Sequence, residues 1–302
     1  MPISPEQVLR AEGPWRHRDL SANGSLFHIV EQGEGPLVVL LHGFPQFWWT
    51  WRHAIPVLAD QGFRVVAVDM RGYGASDHPP HGYDPTTLAD DIAAIIRSLG
   101  EDRATVIGHG WGGIVAWTLG VTHPELTDGV VVVNAPHPRR MRHAMVTDRG
   151  QRKAMSFIWG LQLPFWPERT LRSSGAARIE HFLRTWSADD RWLDADTLER
   201  YRTAFLRWPT AHTAIESYRW AVRSVYRSDG VHYMSRMETP LATDVLMVTG
   251  SRNPLVRGET FIECAEYVTG SYTRRDLPAG HFVHEESPHD FHEVILEWLT
   301  TR

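Results

Sequence analysis

The chain has 302 residues, 42% hydrophobic and 22% charged, the balance of a globular protein, which excludes a disordered one. A formal net charge of −5 offers no cationic surface to nucleic acid or to an anionic membrane, so a small molecule is the expected partner. Cys264 is the only cysteine, so no intramolecular disulfide can form; no apolar run approaches the roughly 20 residues of a membrane span, and residues 1–10 lack the charged and apolar regions of a signal peptide, so the expected location is the cytoplasm.

Taken in chain order, apolar runs of strand length fall at Leu37–Leu41, Arg64–Val68, Thr105–Ile107, Val130–Val133 and Val245–Val248, and the strand rhythm continues at Tyr272–Leu277. Helical segments separate them: Trp48–Ala59, then Thr86–Leu99, whose Leu88, Ile92, Ile95, Ile96 and Leu99 share one face, and finally Phe291–Thr300. This alternation predicts an α/β fold, a mostly parallel central sheet with helices on both faces. The rhythm breaks after Asn134-Ala135-Pro136, where about ninety residues rich in Arg and Trp keep helical periodicity without a strand. The expected organisation is a core domain of residues 1–136 and 229–302 with an inserted helical cap, residues 137–228.

The segment Ala104–Leu119 carries the most informative pattern. A short apolar strand runs into Gly108-His109-Gly110-Trp111-Gly112-Gly113 and a helix begins at once, the strand, sharp turn and helix of a nucleophile elbow. Such a turn lifts a Ser, Cys or Asp above the sheet; at its tip stands Gly110, which has no nucleophile to offer. Glycines 108, 110 and 113 also satisfy G-x-G-x-x-G. A dinucleotide site, however, places that motif after the first strand with an acidic residue closing the next, whereas here the motif is mid-chain and the next strand ends at Asn134. No cofactor is expected.

The chain resembles the epoxide hydrolases, with their haloalkane dehalogenase relatives, of the α/β-hydrolase superfamily. The resemblance runs nearly end to end. It rests on His42-Gly43-Phe44-Pro45, on Asp69-Met70-Arg71-Gly72-Tyr73-Gly74-Ala75-Ser76, on the elbow, on Gln162-Leu163-Pro164, on Gly250 to Pro254, and on Gly280-His281-Phe282. It implies the α/β-hydrolase fold with a cap. It also implies an Asp nucleophile at the position of Gly110, a water-activating His at His281, an acid at the position of Asn253 orienting that His, and two lid tyrosines holding the epoxide oxygen. The chain departs at three of these positions: Gly110 stands for the nucleophile, Asn253 for the acid, and Phe157 where the first lid Tyr is expected. His281 and Tyr218 remain, and without the carboxylate the ester-forming step has no residue to perform it.

The expected catalytic residues are therefore His281, with Asn253 accepting a hydrogen bond from its ring, and Tyr218 donating to a substrate oxygen. The resemblance gives the backbone N–H groups of Phe44 and Trp111 as an oxyanion-binding pair. Gly110, His109, Trp48, Phe157 and Trp159 are expected to line the substrate pocket, and the 13 Trp residues favour an aromatic or apolar ligand. His281, His284, His289 and His292 lack the spacing of a metal site, so none is expected. A homodimer is compatible with this reading. Three functions stay open: a non-hydrolytic, His-assisted reaction such as proton transfer, rearrangement or bond formation on an aromatic or polycyclic molecule, with natural-product biosynthesis as the expected setting; a catalytically inactive homologue that binds a small molecule; and hydrolysis by directly activated water.

Overall fold

A computed structural model describes residues 4–301 of the chain. Eight strands, β1 (Arg16–Ala22), β2 (Ser25–Gln32), β3 (Leu37–Leu41), β4 (Arg64–Val68), β5 (Ala104–His109), β6 (Thr127–Val133), β7 (Asp244–Gly250) and β8 (Tyr272–Leu277), form one sheet in the order β1-β2-β4-β3-β5-β6-β7-β8. β1 and β2 pair antiparallel with their neighbours and β3 to β8 are parallel. The chemistry of the segments explains the division. β3, of sequence LVVLL, is buried at every residue, as a strand covered on both faces must be. β1 is largely exposed, and its turn into β2 places Asn23 (φ +44°) and Gly24 (φ +71°) in the left-handed region that a tight hairpin turn requires. This hairpin was not expected from the sequence.

Core helices α1 (Pro5–Leu9), α2 (Ala54–Asp60), α3 (Pro85–Ser98) and α4 (Trp111–Thr122) precede β6. α3 starts where the Asp84 carboxylate accepts from the Thr87 amide, with Pro85 in the first turn, and buries Leu88, Ile92, Ile95 and Ile96. Each such side chain contributes roughly 1.5–3 kcal/mol by burial. The segment Trp48–Ala59 is split: Trp48–Trp51 is a 3-10 turn and only Ala54–Asp60 is α-helix.

Between β6 and β7 lie seven helices and no strand: α5 (Pro138–Thr147), α6 (Arg149–Ala154), α7 (Phe157–Gly160), α8 (Trp166–Trp186), α9 (Ala195–Leu206), α10 (Thr210–Arg223) and α11 (Ser228–Arg236). α8 is interrupted at Ser173–Ala176, where Ser174, Gly175 and Ala176 adopt left-handed φ/ψ values in succession. After β7 come α12 (Gly258–Ile262), and after β8 α13 (Val283–Glu286) and α14 (Pro288–Thr300). No helix among the described residues is long and apolar enough to cross a membrane.

The topology decides where a ligand can sit. From β3 the chain moves to one side to make β4, then returns past β3 to make β5 on the other side. The loops leaving the carboxyl ends of β3 and β5 therefore diverge, and in a parallel sheet the crevice between such loops is where ligands bind. Residues 42–47 leave β3 there, and Gly110 leaves β5.

Candidate active site

Gly110 ends β5 and opens α4 with φ +54° and ψ −115°, a backbone conformation that L side chains rarely adopt. The helix that follows lies almost against the sheet: a Cβ on Gly112 would stand 2.4 Å from the Leu41 carbonyl oxygen, so only glycine lets α4 cross β3 at this height. At Gly110 itself the space is open. A Cβ there would meet nothing closer than the His281 Nε2 at 3.6 Å and the Gly43 Cα at 3.7 Å.

Above this point lies a cavity of about 520 Å³ whose walls include Gly110, Trp111, Phe157, Trp159, Tyr218 and His281. Six of the residues singled out from the sequence thus meet in one place. The wall is overwhelmingly apolar, with methionines and valines from α5 and α10 beside the aromatic rings, and Arg142 is its one charged lining side chain. Tyr218 is set edge-on against Phe44, Trp111 and Phe157, with ring centroids 5.4 to 5.6 Å away. Burial pushes the pKa of its hydroxyl up, opposed by an interaction with the Trp111 side chain, so it is a neutral donor. Trp159 is about half exposed, at the outer side of the cavity.

His281 is held by its backbone. Its carbonyl oxygen accepts from His109 Nε2 at 2.9 Å and from Asn134 Nδ2 at 2.8 Å, and its amide donates to the Trp186 carbonyl at 2.8 Å. The Glu286 carboxylate closes the same loop, accepting from the amides of Gly280 and Phe282 and from those of Ala188 and Asp189 in the helical insertion. The ring, by contrast, has no hydrogen-bond partner among the described residues, and its Nδ1 is buried. Burial, reinforced by neighbouring His109, holds its pKa well below the ordinary value, so the ring is neutral at pH 7.

Three expectations require correction. Asn253 does not orient His281: its Oδ1 accepts from the Leu255 and Val256 amides at 2.9 and 3.3 Å, because a short Asx side chain satisfies its own turn before it reaches a distant ring. His109 does not line the cavity. It lies beneath the site, fully buried, its ring 4.7 Å from His281 and 4.6 Å from His284, and strand alternation turns it away from the side on which Gly110 opens. Trp48 is also absent from the wall; the 3-10 turn directs it inward, where its indole N–H donates to the Leu9 carbonyl at 2.7 Å and its ring packs edge-on against Trp15. The Phe44 ring packs among Phe182, Trp186, Phe205 and Tyr218. The amides of Phe44 and Trp111, however, have no acceptor among the described residues.

Asn134 and Glu286 were missed in the sequence. Asn134, at φ +52°, joins three loops: its Oδ1 accepts from the Gly250 amide and its Nδ2 donates to the Gly280 and His281 carbonyls. A positive φ leaves no distinct trace in sequence, but an Asn closing a strand shortly before a proline is a signal that could have been weighed. Among the described residues, the grouping with metal-like spacing is His289, Asp290 and Glu293, exposed on α14 and outside this cavity.

A mostly parallel eight-stranded sheet, with an elbow after β5, a histidine loop after β8 and a helical insertion after β6, defines an α/β hydrolase. The chain belongs to that family: the model of the alpha/beta hydrolase fold matches residues 36–288. Within it the chain is epoxide-hydrolase-like. It is 36% identical over 286 residues to Epoxide hydrolase 4 of Mus musculus, covering 92% of this chain and 77% of that protein. It is 32% identical over 286 residues to the AB hydrolase superfamily protein YfhM of Bacillus subtilis, covering 93% and 96% respectively. Epoxide Hydrolase A from Mycobacterium thermoresistibile superposes with a TM-score of 0.82 at 26% identity, over 95% of this chain and 98% of that one.

Proposed function

We infer that this chain is an enzyme of the epoxide-hydrolase-like group that works without a covalent ester intermediate, on an aromatic or apolar small molecule enclosed beneath the helical insertion. The observation that carries this reading is the pairing of a side-chain-free Gly110 with His281 Nε2 at the floor of an apolar cavity. Ester formation needs a nucleophile on the protein, and the elbow has none. What remains is an imidazole able to accept or return a proton, a neutral tyrosine hydroxyl able to donate, and two unengaged amides able to hold a developing oxyanion.

The electrostatics limit the chemistry. A buried imidazole without a carboxylate partner does not stay charged, so a proton taken by His281 must be matched by negative charge developing on the ligand within the same enclosure. Enolate- or phenolate-like intermediates meet that requirement, which favours proton transfer, rearrangement or bond formation, with natural-product biosynthesis as the setting. The unpartnered ring also favours a second reading, in which the cavity binds a small molecule without converting it.

The test is intact-mass analysis during turnover. The first reading expects no adduct at any time, loss of turnover in His281→Ala, and ligand consumed by the parent chain; a substrate-derived adduct on any side chain of the cavity overturns it. Recovery of the bound molecule unchanged, with equal binding by His281→Ala, favours the second.

A further inference from the structure

We propose that the recess above Gly110 binds the carboxylate of the ligand itself, so that the natural ligand is an apolar or aryl carboxylic acid whose acid group stands where the elbow carries no side chain. This rests on the reading of the cavity as a ligand site and specifies the ligand's chemistry. A Cβ on Gly110 has no neighbour nearer than 3.6 Å, and in front of that point is His281 Nε2. His281 is 93% buried, given its 7% exposure, and its ring has no hydrogen-bond partner among the described residues. It is an unsatisfied polar side chain aimed into the recess. The amide of Trp111 at the start of α4, a helix of 12 residues, and the amide of Phe44 beside Gly43 also lack acceptors. An arrangement of two free N–H groups, a helix N-terminus and an imidazole is matched by a group that accepts several hydrogen bonds and carries negative charge.

The surroundings agree. The cavity wall contains no Asp or Glu to repel such a group, and its one charged lining side chain, Arg142, is a cation. Most of the rest is apolar, which suits a hydrocarbon or aromatic body attached to the acid. An acid can enter protonated and share its proton with His281, so that imidazolium and carboxylate form together and neither is buried alone. An arylacetic acid combines the two features, a carboxylate for the recess and a ring for the aromatic wall of Trp111, Phe157 and Tyr218.

The experiment compares 2-naphthylacetate with its neutral counterpart 2-(2-naphthyl)ethanol by calorimetric titration of the full chain and of two variants. The acid is expected to bind the parent chain at least about tenfold more tightly than the alcohol, with affinity falling as pH rises because binding takes up a proton. Gly110→Asp fills the recess with a like charge and is expected to abolish the preference for the acid; where that variant does not fold, His281→Phe is expected to lose it while still binding the alcohol. Equal affinities for acid and alcohol overturn the carboxylate proposal and leave the cavity reading standing, whereas binding of neither compound removes both. Loss of acid binding in Arg142→Met with no loss in Gly110→Asp or His281→Phe places the anion at Arg142 and also overturns the proposal.

Discussion

The Nε2 atom of His281 lies 3.6 Å from the point at which Gly110 would carry a Cβ, across a space that no other side chain enters. The imidazole is therefore positioned for a reacting group that the elbow does not supply. Its backbone is pinned by His109, Asn134 and Trp186, so the position is built in although the ring has no partner.

Restoring a carboxylate tests that geometry directly. Gly110→Asp is expected to form a covalent ester with styrene oxide, seen as an intact-mass increase of one epoxide, while the parent chain gains none. Because position 110 has φ +54°, the variant is expected to lose about 1–3 kcal/mol of stability in chemical denaturation. Absence of an adduct in a folded variant would show that the cavity does not present an epoxide to this point.

The roles of His281 and Asn253 separate cleanly. His281→Ala is expected to lower conversion of the natural substrate by about 100- to 10,000-fold, the usual worth of a positioned acid or base. Asn253→Ala leaves the ring's surroundings unchanged, since Asn253 Oδ1 serves only the amides of Leu255 and Val256; it is expected to cost about 1 kcal/mol of stability and little activity. A large activity loss in Asn253→Ala, measured by steady-state kinetics, would restore the orienting role this structure does not give it.

Glu286 is a positioning residue for the His281 loop. Glu286→Gln keeps one acceptor oxygen in place of two, so some of the four amides held at Gly280, Phe282, Ala188 and Asp189 lose their partner. Each buried amide left unpaired costs about 1–3 kcal/mol. The expected result is a lower melting temperature together with faster amide exchange at residues 280–282 and 188–189. Loss of stability without faster exchange at these two segments would argue against the clamp.

Stability is expected to fall on acidification from about pH 6.5 toward pH 4. Burial lowers the pKa of His78, His109 and His292 to about 4 and that of His137 to about 3, whereas in the unfolded chain they protonate near 6.5. Between those values the unfolded state binds more protons, so the stabilisation is complete above about pH 6.5 and is lost as the pH falls through the folded values. For fully buried His109 the contribution is on the order of 3 kcal/mol. Denaturation midpoints measured across this range check it, and His109→Asn is expected to flatten the slope.

Part of this architecture is readable without coordinates. The strands at Leu37–Leu41 and Arg64–Val68 match the apolar runs residue for residue, because strands buried on both faces need uninterrupted apolar sequence, whereas Tyr272–Leu277, partly exposed at the sheet edge, keeps polar residues along its length. The hairpin of β1 and β2 has no such run. One face of β1 meets solvent, and its only sharp signal is Asn23-Gly24, the dipeptide of a tight turn. Trp48 and Asn253 mislead for different reasons. A tryptophan near a binding loop can turn inward as easily as outward, and an Asn finds its nearest amides before any distant partner.

The residue sequence by itself determined the α/β rhythm, the elbow with glycine at its tip, and the family, because periodicity and short turn motifs are local properties of the chain. Only the tertiary structure decided which side chains share the cavity, that the His281 ring stands without an acid, and that Asn134 and Glu286 hold its loop. Those facts depend on backbone groups brought together from β5, β6, β7 and the helical insertion, and a backbone amide or carbonyl has no letter in the sequence.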